Sequence, residues 1–262
     1  MHELHAEPGW RAVDLISDLH LSPSTPRSFD AWATYLRETS ADAVLMLGDV
    51  FEVWVGDDAL ADAIGFEARC AEVTADAAQR RWLGFMAGNR DFLLGERACT
   101  AAGMHALPDP TLLIAFDQRT LLTHGDALCL DDHDYQRFRR MVRDDAWQRG
   151  FLARPLNQRR ALAQQMRGAS RDRQAQQAPA QWGDVDDAEA LRWLREADAP
   201  TMIHGHTHRP AVHQLDVSHQ RFVLSDWDLE AASPRADVIR LSSAGLQRLD
   251  LATAAGGVAA TR

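Results

Sequence analysis

The chain has 262 residues, 46% of them hydrophobic and 25% charged, which is length enough for a sizeable core and a balance that excludes wholesale disorder. A formal net charge of −10 argues against a general nucleic-acid binder with a basic face. All 28 basic residues are arginine, which excludes Schiff-base, pyridoxal-phosphate and Walker-A lysine chemistry.

The opening residues, MHELHAEPGWR, lack the apolar stretch of a secretory leader, and no run approaches the length of a membrane span. Arg11 to Ser17 and Ala43 to Leu47 read as buried strands, each ending in a short polar loop. Between them, Ser28 to Thr39 has helical spacing, with Phe29, Trp32, Ala33 and Leu36 on one face. A second helix is predicted over 64–81, a strand over 82–86, and a hairpin from strands 111–116 and 119–123 around Asp117 and Gln118. This rhythm predicts an α/β domain with a mixed sheet.

From about 127 to 200 the character changes. Residues 131–149, 154–177 and 187–196 read as helices with no strand between them, so a helical insertion interrupts the sheet domain. Strands return at 201–204, 211–217, 221–224, 237–241 and 247–251, and residues 253–262 read as a frayed tail. A single domain spanning 1–262 is expected. Cys70, Cys99 and Cys129 have no metal-binding spacing and read as buried, reduced thiols of a cytoplasmic protein. Residues 137–173 hold eleven arginines against three aspartates, a local net of +8. Two readings of that segment stand side by side: a solvated pair of amphipathic helices, or a surface for anionic ligands or an acidic membrane.

The chemistry sits where strands end. Asp18 and His20 lie in SDLHL after the first strand, Asp49 in GDV after the second and Asn89 in GNRD after the third. His124 follows a further strand in THGD, and His204, His206 and His208 follow another in HGHTH. Five loops thus deliver carboxylate, imidazole and amide groups to one edge of a sheet, where α/β folds place their sites. Carboxylate with imidazole suits Mn, Fe or Zn, and an amide oxygen leans toward the harder ions. In extended chain, residues two apart point the same way, so Asp18/His20 and His206/His208 can each aim two ligands at one place. Asp49 is the natural bridge between two cations, an arrangement that activates water for in-line phosphoryl displacement.

The ordered set DxH, GD, GN, HG, GHTH resembles the calcineurin-like metallophosphoesterase superfamily, which implies two packed mixed β-sheets flanked by helices. By that pattern Asp18, His20, Asp49 and His208 would hold one metal, and Asp49, Asn89, His124 and His206 the other. His204 is left over. The sequence departs from much of the superfamily at GNRD, where Arg90 replaces a proton-donating histidine. Arginine stays protonated, so a leaving group that needs no proton, such as a phosphate monoester released from a pyrophosphate, is expected.

The longer strings SDLHLS, LGDVFEVWVGDD, AGNRDFLLG, THGDALCLDD and IHGHTHRP, with the insertion after THGD, are similar to the UDP-2,3-diacylglucosamine hydrolase family of lipid A biosynthesis. The resemblance implies water attack on the uridylyl phosphorus, UMP and 2,3-diacylglucosamine 1-phosphate as products, and two Mn2+ ions per chain. It also implies a peripheral position on the anionic cytoplasmic face of the inner membrane of a Gram-negative bacterium. Asn89, Arg90 and His206 would act in catalysis, and these three with Asp132, Arg167, Ser170, Gln174 and Gln177 would contact substrate. The last two stand where relatives often carry Asn or Thr and then Lys. The insertion would form a lid whose apolar side, from Phe138, Met141, Trp147, Phe151, Leu152, Leu156, Leu162 and Met166, takes acyl chains. Packing of the helices' own core is the other reading of those residues. Asp57 and Asp58 read as structural residues or as support behind the ligands, not as ligands. A monomer is favoured. The alternatives are another calcineurin-like phosphodiesterase or nucleotide pyrophosphatase, against which GNRD and the large insertion count, and a non-catalytic scaffold, against which the seven intact metal positions count.

Overall fold

Along residues 13–16 alternate side chains face opposite ways, and this alternation repeated in neighbouring strands builds a sandwich. The computed structural model describes residues 1–176 and 183–256, without the side chains of 169–176. One six-stranded sheet contains β1 (His2–His5), β6 (Thr111–Ala115), β7 (Gln118–Leu122), β8 (Thr201–His204), β9 (Ala211–Gln214) and β10 (Gln220–Val223), in the order β1-β6-β7-β8-β10-β9. The other contains β2 (Ala12–Ile16), β3 (Ala43–Leu47), β4 (Trp82–Met86), β5 (His105–Leu107), β11 (Asp237–Ser242) and β12 (Gly245–Asp250), in the order β12-β11-β2-β3-β4-β5. Both sheets are mixed, as expected for the calcineurin-like fold.

Val13, Leu15, Leu45, Leu47 and Met86 of the second sheet meet Leu113, Leu122 and Ile203 of the first in a fully buried layer. The outer face of the second sheet is covered by α1 (Pro26–Glu38), α2 (Phe66–Ala78) and α3 (Glu96–Ala102), with Trp32, Tyr35 and Leu36 of α1 buried against Val44, Met46 and Leu83. Proline at the start of α1 costs no hydrogen bond there. Two consequences place the site. Strands β2, β3 and β4 are adjacent and parallel, as are β7 and β8. Their C-terminal ends therefore deliver all five motif loops together.

The predicted helix over 131–149 is two helices, α4 (His133–Val142) and α5 (Asp145–Leu152), because Asp144 caps a new start by accepting from the Trp147 N–H at 2.9 Å. The insertion continues through α6 (Leu156–Gln176) and α7 (Asp187–Glu196). Helix α7 packs through Ala190 and Leu194 on Leu121 and Met202 of the first sheet, so it belongs to the sandwich and not to the part that faces the motif loops. Strands β1 and β5 and helix α3 carry no strong pattern in the sequence; β1 is the polar edge strand HELH. The tail expected to fray from 253 instead begins in a short helix, α8 (Leu251–Ala255), with Ala254 buried; residues 257–262 lie outside the described residues. The three cysteines are buried and unpaired. Among the described residues no helix is long and apolar enough to cross a membrane.

One buried ion pair ties the two ends of the second sheet's chain together. Arg240 donates through Nε and Nη2 to both oxygens of Asp14 at 2.6 and 2.9 Å, and Tyr35 and Thr39 donate to the same carboxylate. Removing one partner strands a buried charge, so Arg240→Met is expected to lower the unfolding free energy by about 3–5 kcal/mol, read by urea denaturation.

Candidate metal centre

Three of the five motif loops, after β2, β3 and β8, turn through a strained backbone. Asp18, His20, Asp49, His206 and His208 all take a left-handed backbone, with φ between 48° and 66°. Such conformations are costly for residues with side chains and persist only where the surroundings impose them. The neighbouring glycines allow the close approach. A Cβ on Gly88 would stand 2.2 Å from Asp49 Oδ1, and one on Gly205 would stand 2.2 Å from Asp18 Oδ2.

Two clusters result. Asp18, His20 and His208 bring ligand atoms within 4.8 Å of one another, and Asp49, His124 and His206 do the same. The clusters adjoin at Asp49, whose carbonyl accepts from the His20 N–H at 3.0 Å. In the first, Asp18 Oδ2 accepts from Ser17 Oγ (2.5 Å) and from the His206 N–H (2.9 Å), while Asp18 Oδ1 is buried without a hydrogen-bond partner and lies 3.3 Å from His208 Nε2. His20 turns Nδ1 to within 3.1 Å of Glu52 and Nε2 to within 3.2 Å of His208 Nε2. A carboxylate behind the far ring nitrogen is the arrangement that orients metal-binding histidines.

In the second cluster His124 is fully buried and its Nδ1 donates to the Leu47 carbonyl at 2.9 Å, which directs Nε2 inward. The Asn89 amide stands between His124 Nε2 (3.0 Å) and His206 Nδ1 (2.8 Å). It can face that point in two ways: with its oxygen, which could serve a cation beside the imidazoles, or with its nitrogen donating to both while its oxygen accepts from Arg90 Nε at 3.2 Å. Asp49 Oδ1 accepts from the Arg90 N–H at 2.8 Å.

The site attracts positive charge. Burial alone would lower the His124 pKa, but Asp49, Asp18 and Asp126 outweigh it and hold the ring at about 9. Burial and the His124 charge together push His206 down to about 4, so its ring is neutral at ordinary pH. Against its own burial, Asp18 is held well below the usual carboxylate range by His208, His124 and His20. An orphaned buried carboxylate oxygen, converging lone pairs and a field that favours cations all fit a pair of divalent metals.

Asp18, His20 and His208 come together, as do Asp49, His124 and His206, and His204 stays outside both groups, as expected. That ring is buried away from both clusters, 2.9 Å from the Gly205 carbonyl through Nδ1 and 3.2 Å from Arg221 Nη1 through Nε2. Arg90, Asp132 and Arg167 line a cavity of about 820 Å3 that opens from the metal loops. Its far part is apolar, walled by Phe138, Trp147, Phe151 and Met166 of the insertion and by Trp54, Val55, Phe92 and Leu93 of the sheet domain. Of the lid residues expected to line it, Met141 and Leu152 are instead exposed, and Leu156 and Leu162 pack on the core. The side chains of Ser170 and Gln174 lie outside the described part of the helix, and Gln177 lies outside the described residues.

Besides Glu52, three supporting acids were not singled out by sequence reasoning. Asp91, the last letter of GNRD, is fully buried and accepts from the N–H groups of Gly88, Asp49, Val50 and Phe51 at 2.8–3.3 Å. Burial and the Asp49 charge push its pKa to about 6 despite those donors. Asp126, from THGD, accepts from Tyr135 Oη (2.5 Å) and Arg139 Nε (2.9 Å), which seats α4 beside the second cluster with the Tyr135 ring 5.7 Å from His206. Asp226 lies 3.6 Å from His208 Nδ1 and pairs with Arg235. Aspartate in a glycine-bounded motif was the only available signal for the first two; nothing local marks Asp226.

Comparison with known proteins agrees with this geometry. The description "calcineurin-like phosphoesterase" matches residues 12–210. The chain is 43% identical over 244 residues to a Bordetella pertussis protein named UDP-2,3-diacylglucosamine hydrolase, spanning 90% of this chain and 94% of that one. Proteins of the same name from Stenotrophomonas maltophilia (43%, covering 85% and 93%) and Chromohalobacter salexigens (44%, covering 81% and 87%) are similar to it.

Because Asp91 holds the Asp49 and Asn89 loops in register, Asp91→Ala is expected to weaken divalent-cation binding about 10–100-fold, the usual cost of losing an outer partner. Calorimetric titration with Mn2+ reads this; unchanged affinity would detach Asp91 from the centre.

Proposed function

The chain belongs to the calcineurin-like phosphoesterases and, within them, to the UDP-2,3-diacylglucosamine hydrolase family, and from that premise we propose that it splits the pyrophosphate of UDP-2,3-diacylglucosamine. Water attacks the uridylyl phosphorus, and UMP and 2,3-diacylglucosamine 1-phosphate leave, a step of lipid A biosynthesis. The observation that carries the reading is one cavity joining a polar end at His20, Asp49, Asn89 and His206 to an apolar end lined by both the insertion and the sheet domain. A nucleotide sugar with two acyl chains has this polarity. At about 820 Å3 the cavity lies within the usual range for enclosing a small ligand.

Asp18, His20, Asp49 and His208 would hold one cation and Asp49, Asn89, His124 and His206 the other. Mn2+ suits this mixture of carboxylate, imidazole and a single amide. Bound there, the cations supply Lewis acidity and a water nucleophile at neutral pH. The chain's own groups do the rest. Arg90 lines the cavity beside Asp49 and stays charged, so it stabilises negative charge on phosphoryl oxygens without giving up a proton. None is needed, because the group that leaves is itself a phosphate. His206, held neutral, turns Nδ1 toward Asn89, and Tyr135 packs over its ring, which screens that side from water. Arg167 pairs with Glu52 at the cavity wall while its Nε and Nη1 are buried without partners, which suits a donor to sugar or phosphate oxygens. Asp132 caps α4 by accepting from the Tyr135 N–H, and its carboxylate borders the same cavity. Ser170, Gln174 and Gln177 complete the proposed substrate contacts.

The protein works at the cytoplasmic face of the membrane that holds its substrate. Arg140, Arg149 and Arg154 are exposed, as are Met141 and Leu152 on α4 and α5, and this pairing of cations with apolar side chains suits a peripheral hold on anionic lipid.

With Mn2+ present, UDP-2,3-diacylglucosamine should release UMP, whereas UDP-N-acetylglucosamine and bis-p-nitrophenyl phosphate should give little product. Chelation or Asp49→Ala should abolish release, and Arg90→His should slow it by about 10²–10³-fold. Hydrolysis of the generic diester alone would discard the lipid substrate.

A further inference from the structure

The string VWVGDD ends in two carboxylates that no part of the metal chemistry uses. Both turn out to fix the apolar end of the cavity. Asp57 accepts from the Trp54 indole at 3.0 Å and from the Gly95 and Ala98 N–H groups at 3.0 and 2.9 Å. Asp58 pairs with Arg159, from the first turn of α6. The Arg159 side chain is only 2% exposed although its partner is half open to solvent. Its Nε donates to the Arg154 carbonyl at 2.9 Å, its Nη1 to the Val55 carbonyl and its Nη2 to Asp58. Gly56 makes room for this: its φ is +130°, and a Cβ there would stand 2.2 Å from Arg159 Nη1 and 2.8 Å from Leu152 Cδ2.

The residues on either side of this contact are cavity walls. Trp54 and Val55 line the cavity from one side, and the Trp54 N–H donates to the Arg90 carbonyl at 3.1 Å. On α6, Ala163, Met166 and Arg167 line it from the other side. They follow Arg159 by four, seven and eight residues and so share its helix face. Arg167 makes the second bond from this face to the same segment, at Glu52. Two planar, always-charged groups thus hold α6 at a set distance from residues 52–58, with small Ala163 between them.

We propose that Arg159, seated on Asp58 and the Val55 carbonyl, is a positioning residue that sets the width of the apolar end of the cavity and thereby selects among acyl chains of different length. This rests on the diacylated substrate proposed above. Without the guanidinium the two walls are no longer held apart at one spacing, and the discrimination relaxes. A mere staple of the fold would lower the rate on every chain length by one factor.

The test compares UDP-2,3-diacylglucosamines with short and with long acyl chains, differing by several methylenes, for the full chain, Arg159→Lys and Asp58→Asn. Circular dichroism melting reports folding, and Mn2+ titration reports the metal loops. The wild type should discriminate between the two, and the ratio of kcat/KM should relax about tenfold in both variants, since methylenes in a fitted pocket are worth that much. If Arg159→Lys fails to fold, Asp58→Asn, which keeps the size of a half-exposed side chain, carries the test alone. A wild type without discrimination, an unchanged ratio, or equal loss on both substrates overturns the proposal. A folded, Mn2+-binding wild type inactive on both lipids sinks the substrate reading instead.

Discussion

Repulsion among buried carboxylates is the constraint around which this molecule is arranged. Asp18, Asp49, Asp91 and Asp126 are all nearly or wholly removed from solvent along one edge of the sandwich. A buried charge is tolerated only with opposite charge or several donors beside it. The chain supplies imidazoles at 20, 124, 206 and 208, four backbone N–H groups on Asp91, and Arg139 with Tyr135 on Asp126. The remaining negative charge is what makes the place hospitable to divalent cations. Left-handed residues at the strand ends are the local consequence, since only such tight reversals keep five loops within reach of one point.

The same demand explains the placement of the insertion. Eleven arginines in residues 137–173 suggest a basic surface, yet four of the nine whose side chains are described turn inward. Arg139 reaches Asp126, Arg143 the Gly88 carbonyl, Arg159 Asp58 and Arg167 Glu52, while Arg160 pairs with Glu67 at the surface. An acidic sheet domain and a basic insertion are therefore two halves of one interface. Arg167 borders the cavity directly, and Asp126 stands two residues from His124. The placement of the insertion and the geometry of the motif loops are thus joined through short contacts, while Arg137, Arg140, Arg149 and Arg154 are left for the outside.

Much of this was legible before any coordinates. Strands 43–47, 82–86 and 201–204 and helix 187–196 match their expected bounds, because continuous apolar runs and a strong period leave few alternatives. What escaped was weakly patterned: the polar edge strand β1, the three-residue β5 and the break at Asp144, where a capping aspartate sits inside an otherwise helical stretch. At the site, the ligand motifs stood out because each follows a strand. Asp226 did not, since it reaches His208 only through the packing of β10's exit against HGHTH. Likewise the apolar wall was only half visible. Phe138, Trp147, Phe151 and Met166 show helical spacing, but Trp54, Val55, Phe92 and Leu93 come from loops that carry no period.

By itself, the sequence determined which residue types end the strands, that no lysine chemistry is available, that GNRD offers a fixed charge and no proton, and that a helical segment interrupts the sheets. These follow from side-chain identity and local periodicity, which short-range forces impose. Tertiary structure alone decided which way the arginines point, that α7 packs on the sandwich, and that Gly56 clears a socket for Arg159. Each of those depends on distances between segments far apart in the chain, where burial of charge, not sequence neighbourhood, selects the partner.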